Sequence, residues 1–421
     1  MSKAGDFIKK HGMDYRDIVV QERVDAYLTE MGKGLRGEES SLLMLPTYLT
    51  MREEIRRESP VVCIDAGGTN LRICLAWFDA KNQFVIKDMK RYRMPGVEAS
   101  LDADAFFDVM AQIIAPYCDQ SREIVLSFAY RAEPMPDIDA KIIEITKEVR
   151  VSGAEGRLLA KEITAALARM GLSDVHMIVI NDSVASALAG RADMPNGGFG
   201  AFTGTILGTG SNSCYTEETA NITKLDGGGL GKTMVINTEA GSYAGFPRTD
   251  IDIAFDETTV FPGLGVAEKM TSGGYMGALC EFALKRAAEE DVFGTKSVEN
   301  IVGLRSEDVS EYLADGTGIV TENMLDEEDE QNARELLENI VLRAARLVAV
   351  QMAAVAVKSY KTNHAVLMSV EGTTYEKMQG LQEELKGQLE ACLRERGIQP
   401  TLVTVRQAVM KGCALAALAR E

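Results

Sequence analysis

The segment Asp65-Ala66-Gly67-Gly68-Thr69-Asn70-Leu71-Arg72 holds the densest group of residues fit for chemistry. Its two glycines leave backbone N–H groups open to an anion, while Thr69 adds a hydroxyl and Arg72 a fixed positive charge suited to phosphate oxygens. Asp65 either reaches a magnesium ion through water or holds the turn. A second glycine turn, Gly208-Thr209-Gly210, has apolar, strand-like segments on both sides. Gly372-Thr373-Thr374 ends a third such segment and suits an adenine or ribose contact, or an ordinary loop. Asn181-Asp182 follows the apolar run 175–180 and opens a helical one. A carboxylate there can take a proton from a substrate hydroxyl, as the base in phosphoryl transfer does, and the pair equally suits helix capping. Ser127, Thr146, Lys147, Asn212, Asn237, Glu239 and Glu268 are polar residues with no packing role apparent from their neighbours. Sugars need such groups, because each hydroxyl must find donors and acceptors when it leaves water.

These residues need elements to hold them. Segments 61–64, 71–78 and 83–92 read as strands, with the first glycine turn between the first two. Strand–turn–strand is a β-hairpin, unlike the strand–turn–helix of a P-loop or dinucleotide fold. The same unit recurs at 199–207 and 212–217, followed by a strand at 234–237. Two similar halves, each offering a phosphate-binding hairpin, would make a nucleotide clamp between two domains. Upstream, 1–57 reads as helical, with apolar residues at three- and four-residue spacing around Val24, Tyr27, Leu28 and Met31, up to a break at Pro60. Helices are expected at 102–117, 154–170 and 184–189, with strands at 123–128 and 175–180. Residues 266–345 are mostly helical, a long helix covers 330–360, and strands at 364–370 and 401–405 precede a closing helix at 408–419. Alternating strands and helices mean an α/β protein.

At 421 residues the chain exceeds what one hydrophobic core usually organises, so two domains are expected. A net charge of −18 argues against nucleic acid as the main partner but not against ATP, whose site is built from local amides and a cation. The seven cysteines show no CxxC or CxxH spacing, so neither a disulfide framework nor a structural zinc is expected, and a cytoplasmic location fits. Charges throughout the first fourteen residues argue against a signal peptide. No uninterrupted apolar run approaches the ~20 residues of a membrane helix. The longest apolar stretch, 342–357, is broken by Arg343, Arg346 and Gln351.

In their order, these segments resemble the hexokinase family, in the larger form of eukaryotes and some bacteria. The resemblance runs from about Val24 to Leu418. It opens with MGKGLRGEESSLLMLPTYLT, similar to the family's N-terminal helical segment. DAGGTNLR and GTILGTGSNSCYTE resemble its two phosphate motifs. LSFAY and TKEVRVSGAEG resemble the sugar-binding segments of the small domain, and VINDSVASAL the catalytic segment. VINTEAGSY and FPGLGVAEKMTSGGYMGAL resemble sugar-contacting parts of the large domain, and VEGTTYEK the adenosine motif.

The resemblance implies an actin-like, RNase H-like fold with an interdomain cleft. The small domain would comprise 58–180 plus about 405–421, and the large domain 1–57 plus 181–404. The implied activity is ATP-dependent phosphorylation of a hexose 6-hydroxyl, with glucose the leading substrate and glycolysis the setting. Asp182 would be the base, and Lys147 would steady the sugar oxygen and the transition-state charge. Ser127, Thr146, Lys147, Asn181, Asp182, Asn212, Glu239 and Glu268 match hexose-binding positions. Asp65, Gly67, Gly68, Thr69, Asn70, Arg72, Gly208, Thr209 and Gly210 fall in the phosphate motifs, and Gly372 and Thr373 on the nucleoside side. Mg²⁺ would ride on the ATP phosphates, reaching Asp65 only through water.

The chain also departs from the family. Ala129 stands where the family has proline, and Ile145 and Ala240 where it has tryptophan. A glutamine usual near the Pro-Gly stretch is replaced around Leu264-Gly265, and Glu371 replaces the aspartate of the adenosine motif. REEIRRESP replaces a Gly- and Glu-rich stretch. These changes touch the supports of the sugar site rather than its polar contacts. They leave room for a kinase of fructose, mannose or an amino sugar. A non-catalytic sugar-sensing protein on the same fold would be favoured by loss of the base or the phosphate motif, and neither is lost.

Overall fold

The computed structural model describes residues 2–49, 55–145, 149–193, 199–225, 231–359 and 365–419. The first half begins with α1 (Lys3–Lys10), capped by Ser2, whose side chain accepts from the Gly5 amide. Then come α2 (Val20–Arg36) and the two-residue strand β1 (Leu45–Pro46). A meander follows, β2 (Val61–Ala66), β3 (Asn70–Phe78) and β4 (Phe84–Arg93). Short strands β5 (Leu101–Asp102) and β9 (Val151–Ser152) pair with each other across α3 (Ala103–Ile114), β6 (Glu123–Phe128) and the hairpin β7 (Arg131–Pro134) and β8 (Ala140–Glu144). The half closes with α4 (Leu159–Arg169), β10 (His176–Ile180) and α5 (Asp182–Asp193).

The second half repeats the plan with β11 (Phe199–Leu207), β12 (Ser211–Glu218) and β13 (Thr233–Asn237). A helical stretch follows: α6 (Asp250–Glu257), α7 (Val266–Thr271), α8 (Gly273–Glu289), α9 (Ser306–Asp315), α10 (Ile319–Glu322) and α11 (Glu327–Ser359). It ends with β14 (Ala365–Glu371), α12 (Thr373–Lys377), α13 (Leu381–Glu395), β15 (Pro400–Val403) and α14 (Ala408–Leu418).

Two sheets result. One has the order β10-β6-β2-β3-β4, the other β1-β13-β12-β11-β14-β15. In each, an antiparallel meander leads into two parallel strands, so β2, β3, β4, β6 and β10 correspond in position to β11, β12, β13, β14 and β15. The period of two sorts the first sheet's side chains. Val62, Ile64, Leu126 and Val179 meet Phe106, Phe107, Ile163 and Leu167 of α3 and α4. Val61, Cys63, Val125 and Ile178 face the opposite way, onto α5 and α14. Apolar on both faces, β2 reads as a continuous hydrophobic run, as a central strand should.

Helix α5 lies between the sheets, and its fit depends on two close approaches. A Cβ on Gly204 of β11 would sit 2.2 Å from the Ser183 carbonyl oxygen, and one on Gly412 of α14 2.0 Å from that of Ala185. Only glycine admits contacts this tight. The residues of α5's first turn are therefore held from both sides.

Several expectations are corrected. The region read as helical through residue 57 contains β1, whose Leu45 and Pro46 pair with Asn237 and Ile236. The hairpin β7–β8 lies in a segment where no strand was expected. The helix expected from 154 starts at Leu159, and the one expected at 184–189 spans Asp182–Asp193. The long helix α11 is apolar and long enough, by length and composition, to cross a membrane, against the expectation of no such run; its apolar window is 83% buried inside the fold, as in a core helix. Its supposed interruptions are paired: Arg343 donates to both carboxylate oxygens of Asp252 on α6, at 2.9 and 2.5 Å, and Gln351 donates to the Ser213 hydroxyl at 2.8 Å.

Candidate active site

Strand β10 ends at Ile180, and the next two residues divide the work between them. The Asn181 side-chain oxygen accepts from the Ser183 amide at 2.9 Å and its hydroxyl at 2.6 Å, so Asn181 caps α5. Asp182 is the first helical residue and lines a cleft of about 540 Å³ walled by both sheets. The C-terminal edge of parallel strands is where open α/β sheets place ligands.

One wall is a chain of side-chain amides. Asn212 donates to Asn181 at 3.3 Å and to Asn237 at 2.8 Å, while its oxygen accepts from the amides of Ser213 and Ala240 at 2.8 and 3.1 Å. Both donor hydrogens and both lone pairs are used, which fixes the side chain. Asn237 in turn donates to Glu239 at 2.7 Å. Glu239 sits in the left-handed region, φ +55, a conformation a side-chain-bearing residue keeps only when its surroundings hold it. Burial pushes its carboxyl above the ordinary range, with Glu268 and Asp182 adding to that, while the Asn237 hydrogen bond and the Arg131 charge oppose it. Glu268 opens α7, and its carboxylate accepts from the Ser211 amide at 3.3 Å.

The lip over Glu268, residues 258–265, is anchored from beneath. The buried Asp256 carboxylate accepts from Lys269, from Arg248 at 2.7 Å, and from the Gly263 amide at 3.0 and 3.2 Å. Lys269 also donates to the Phe261 carbonyl at 2.6 Å. Although burial opposes ionisation, Lys269, Gly263 and Arg248 hold the Asp256 carboxyl below its usual range.

The two glycine hairpins bring Gly68 and Thr69 to the cleft from one side, and Thr209, Gly210, Ser211 and Asn212 from the other. In the first turn Gly67 donates to the Asn70 carbonyl at 3.0 Å, and the Asn70 side chain donates to the Thr69 hydroxyl at 2.9 Å. In the second, Gly208 donates to Gly210 at 2.9 Å, and its own carbonyl accepts from the Gly273 amide and the Thr374 hydroxyl. Gly372 has φ +125, and a Cβ there would lie 2.3 Å from the Leu207 carbonyl oxygen. The third glycine turn, Gly372-Thr373-Thr374, therefore rests directly on the second hairpin.

Not every expected site residue faces this cleft. Asp65 and Arg72 stand directly opposite each other on β2 and β3 and form an ion pair. Burial raises the Asp65 carboxyl and Arg72 pulls it back down. Arg72 lines a separate cavity of about 410 Å³ with Glu371 and residues 404–410. Ser127 is fully buried and absent from the cleft wall, and its hydroxyl has no hydrogen-bond partner among the described residues. Thr146 and Lys147 lie outside the described residues.

Two cleft residues, Arg131 and Glu144, went unnoticed in the sequence, while Tyr130, Phe261, Leu264 and Tyr275 fall in segments matched there without a role of their own. Arg131 and Glu144, 3.9 Å apart, come from β7 and β8. The Pro136-Asp137 turn signal between those strands was the available clue.

The paired meander sheets, with α5 and two glycine hairpins between them, form the actin-like ATPase fold of sugar kinases. Two hexokinase family models match the chain, one over residues 9–192 and the other over 202–419. Hexokinase-1 of Schizosaccharomyces pombe is 28% identical over 379 residues, spanning 83% of this chain and 77% of that protein. Hexokinase-7 of Oryza sativa subsp. japonica is 29% identical over 352 residues, spanning 76% and 75%. A solved hexokinase from Schistosoma mansoni, complexed with glucose, superposes with a TM-score of 0.85 at 22% identity over 99% of this chain and 98% of that one. The chain belongs to the hexokinase family and is a hexose kinase.

Proposed function

We propose that this hexokinase moves the γ-phosphate of ATP to the 6-hydroxyl of glucose, with Asp182 as the base. Support comes first from the convergence of Asp182, Asn181, Asn212, Glu239 and Glu268 in one cleft between the two hairpins. Phosphoryl transfer asks a protein mainly for positioning and charge stabilisation, since the bond to the leaving oxygen is largely broken before the new one forms. The Asp182 carboxylate takes the 6-hydroxyl proton as the oxygen–phosphorus bond forms and the bond to the β,γ-bridging oxygen breaks, releasing ADP. Asn181 is locked through its side-chain oxygen, which leaves its amide N–H groups to meet a sugar hydroxyl, while Asn212, fully used within the wall, holds Asn181 and Asn237 in place. Glucose is favoured because five of the matched polar residues, Asn181, Asp182, Asn212, Glu239 and Glu268, line the cleft and because the Schistosoma relative is complexed with it.

Magnesium fits this site as a passenger on the phosphates. Among the described residues no group of three His, Cys, Asp or Glu side chains could hold a metal ion. Mg²⁺ characteristically keeps its waters and relies on substrate phosphates plus one or two carboxylates. Asp65, buried and paired with Arg72 behind the first hairpin, lies off the cleft wall, so the ion would be held through the phosphates and its own waters. When bound, the ion would neutralise charge on the phosphates.

The test is Asp182→Asn, which keeps the side chain's shape and removes the base. Turnover in a coupled ATP assay should fall by roughly two to four orders of magnitude, while glucose still binds in calorimetry. Near-normal turnover would overturn the base assignment. A panel of glucose, fructose, mannose and glucosamine should give the highest kcat/KM with glucose, and another order would overturn the substrate assignment alone.

A further inference from the structure

The two residues that lead out of β6 into the cleft wall also touch the first glycine hairpin. The Tyr130 hydroxyl donates to the carbonyl oxygens of Gly67 and Gly68, at 2.9 and 2.8 Å. One residue earlier, the Ala129 amide donates to the Ala66 carbonyl at 3.1 Å, extending the parallel pairing of β2 and β6 by one bond. A proline at 129 would have no such donor. Tyr130 is 4% exposed, and its ring packs on Phe128 with centroids 4.9 Å apart. Burial raises the phenol's pKa, so it remains a donor throughout the neutral range.

In a trans peptide the C=O and N–H point to opposite sides of one plane. A hydroxyl that draws the Gly67 and Gly68 carbonyls toward itself must turn the N–H groups of Gly68 and Thr69 away from it. Among the described residues neither N–H has a partner within the fold, and both residues line the cleft. We infer that Tyr130 is a positioning residue: its hydroxyl orients the Gly68 and Thr69 amides toward the nucleotide phosphates and ties that orientation to the strand end that meets the sugar. Glycine at 67 and 68 makes the need plain, because a Gly-Gly turn has no side chains to fix its peptide planes and would otherwise sample several. The inference rests on the reading of this cleft as the phosphoryl-transfer site.

The test is Tyr130→Phe, which keeps the ring and removes only the hydroxyl. ADP affinity, measured by calorimetry without turnover, should weaken roughly three- to tenfold, the factor carried by one ordinary hydrogen bond. The KM for ATP should rise by the same factor while the KM for hexose stays within about twofold, a split that general loosening of the fold would not produce. Ala129→Pro, which deletes the neighbouring amide donor, should shift ADP affinity in the same direction. Tyr130→Met serves as a second probe should the phenylalanine variant fold poorly. Unchanged ADP affinity in Tyr130→Phe, or hexose and ATP KM values rising together, would overturn the role of Tyr130. Failure of the wild-type protein to phosphorylate any hexose would instead overturn the proposed function, and the ADP titration would still report on Tyr130.

Discussion

Replacing Glu371 with glutamine should remove a pH dependence of stability that the wild-type protein carries. Glu371 ends β14, where its carboxylate accepts from the Val405 amide at 3.0 Å across the entry to α14. Burial, reinforced by Glu376 and opposed by the Val405 amide and Arg72, pushes its pKa up from 4.5 to about 7. Between those values the folded protein holds a proton here that the unfolded chain has released. Stability must therefore fall as pH rises from about 4.5 to 7 and level off above, with the carboxyl's full penalty present only on the alkaline side. A separation of about 2.5 pH units, at ~1.36 kcal/mol each, caps the effect near 3 kcal/mol. The side chain is only half-buried, so water reduces the effect to about 1–2 kcal/mol.

Glutamine keeps an oxygen to accept from Val405 and has no proton to lose. Urea unfolding of the wild-type protein and Glu371→Gln at pH 4.5, 6, 7 and 8 should give coincident stabilities at the acid end. The variant should lead by about 1–2 kcal/mol at pH 8. Parallel curves across the range, or a wild type that gains stability toward pH 8, would show that the carboxyl is not held protonated by its surroundings, and the reasoning would fail.

Two other substitutions probe the supports of the site. Lys269→Met leaves Asp256 with only Arg248 and the Gly263 amide, and should cost about 2–4 kcal/mol in unfolding experiments. Because Lys269 adjoins Glu268, its loss should also raise the hexose KM about tenfold with little change in that for ATP, and adding Asp256→Leu should recover part of the stability. Gly372→Ala forces a Cβ against the Leu207 carbonyl at φ +125, costing about 1–3 kcal/mol. It should raise the KM for ATP in steady-state kinetics while sparing that for hexose, and an unchanged ATP KM would separate the third glycine turn from the nucleotide.

The two hairpins were legible in the sequence because each pairs long apolar, β-branched strands with a glycine turn. Strands 123–128 and 199–207 fall where the pattern put them. The hairpin β7–β8 was not legible: its strands are four and five residues long, with few buried positions and an irregular register. Such strands exist because a partner lies alongside, which propensity does not report. The same holds for β1, whose two residues are strand only by pairing with β13. Arg343 and Gln351 looked like breaks in an apolar run because a sequence shows charge but not the Asp252 and Ser213 that answer it on other elements. The Asp65–Arg72 pair is different, since it follows from the hairpin register once the turn at Gly67–Asn70 is fixed.

The Asn181-Asp182 pair shows most clearly what the third dimension adds. Either residue is a good helix cap, and the sequence offers no means of choosing between capping and chemistry. The structure assigns the cap to Asn181, which spends its oxygen on Ser183 and on Asn212. The next carboxylate, Asp182, shares the Ser183 amide at 2.9 Å and stands at the first helical position and on the cleft wall. The assignment is enforced at a distance: the tight passes of α5 against Gly204 and Gly412 fix the height of its first turn between the sheets. A bulkier residue at either glycine would displace α5 as a unit, so these two positions, neither of which lines the cleft, set where a base at Asp182 can act.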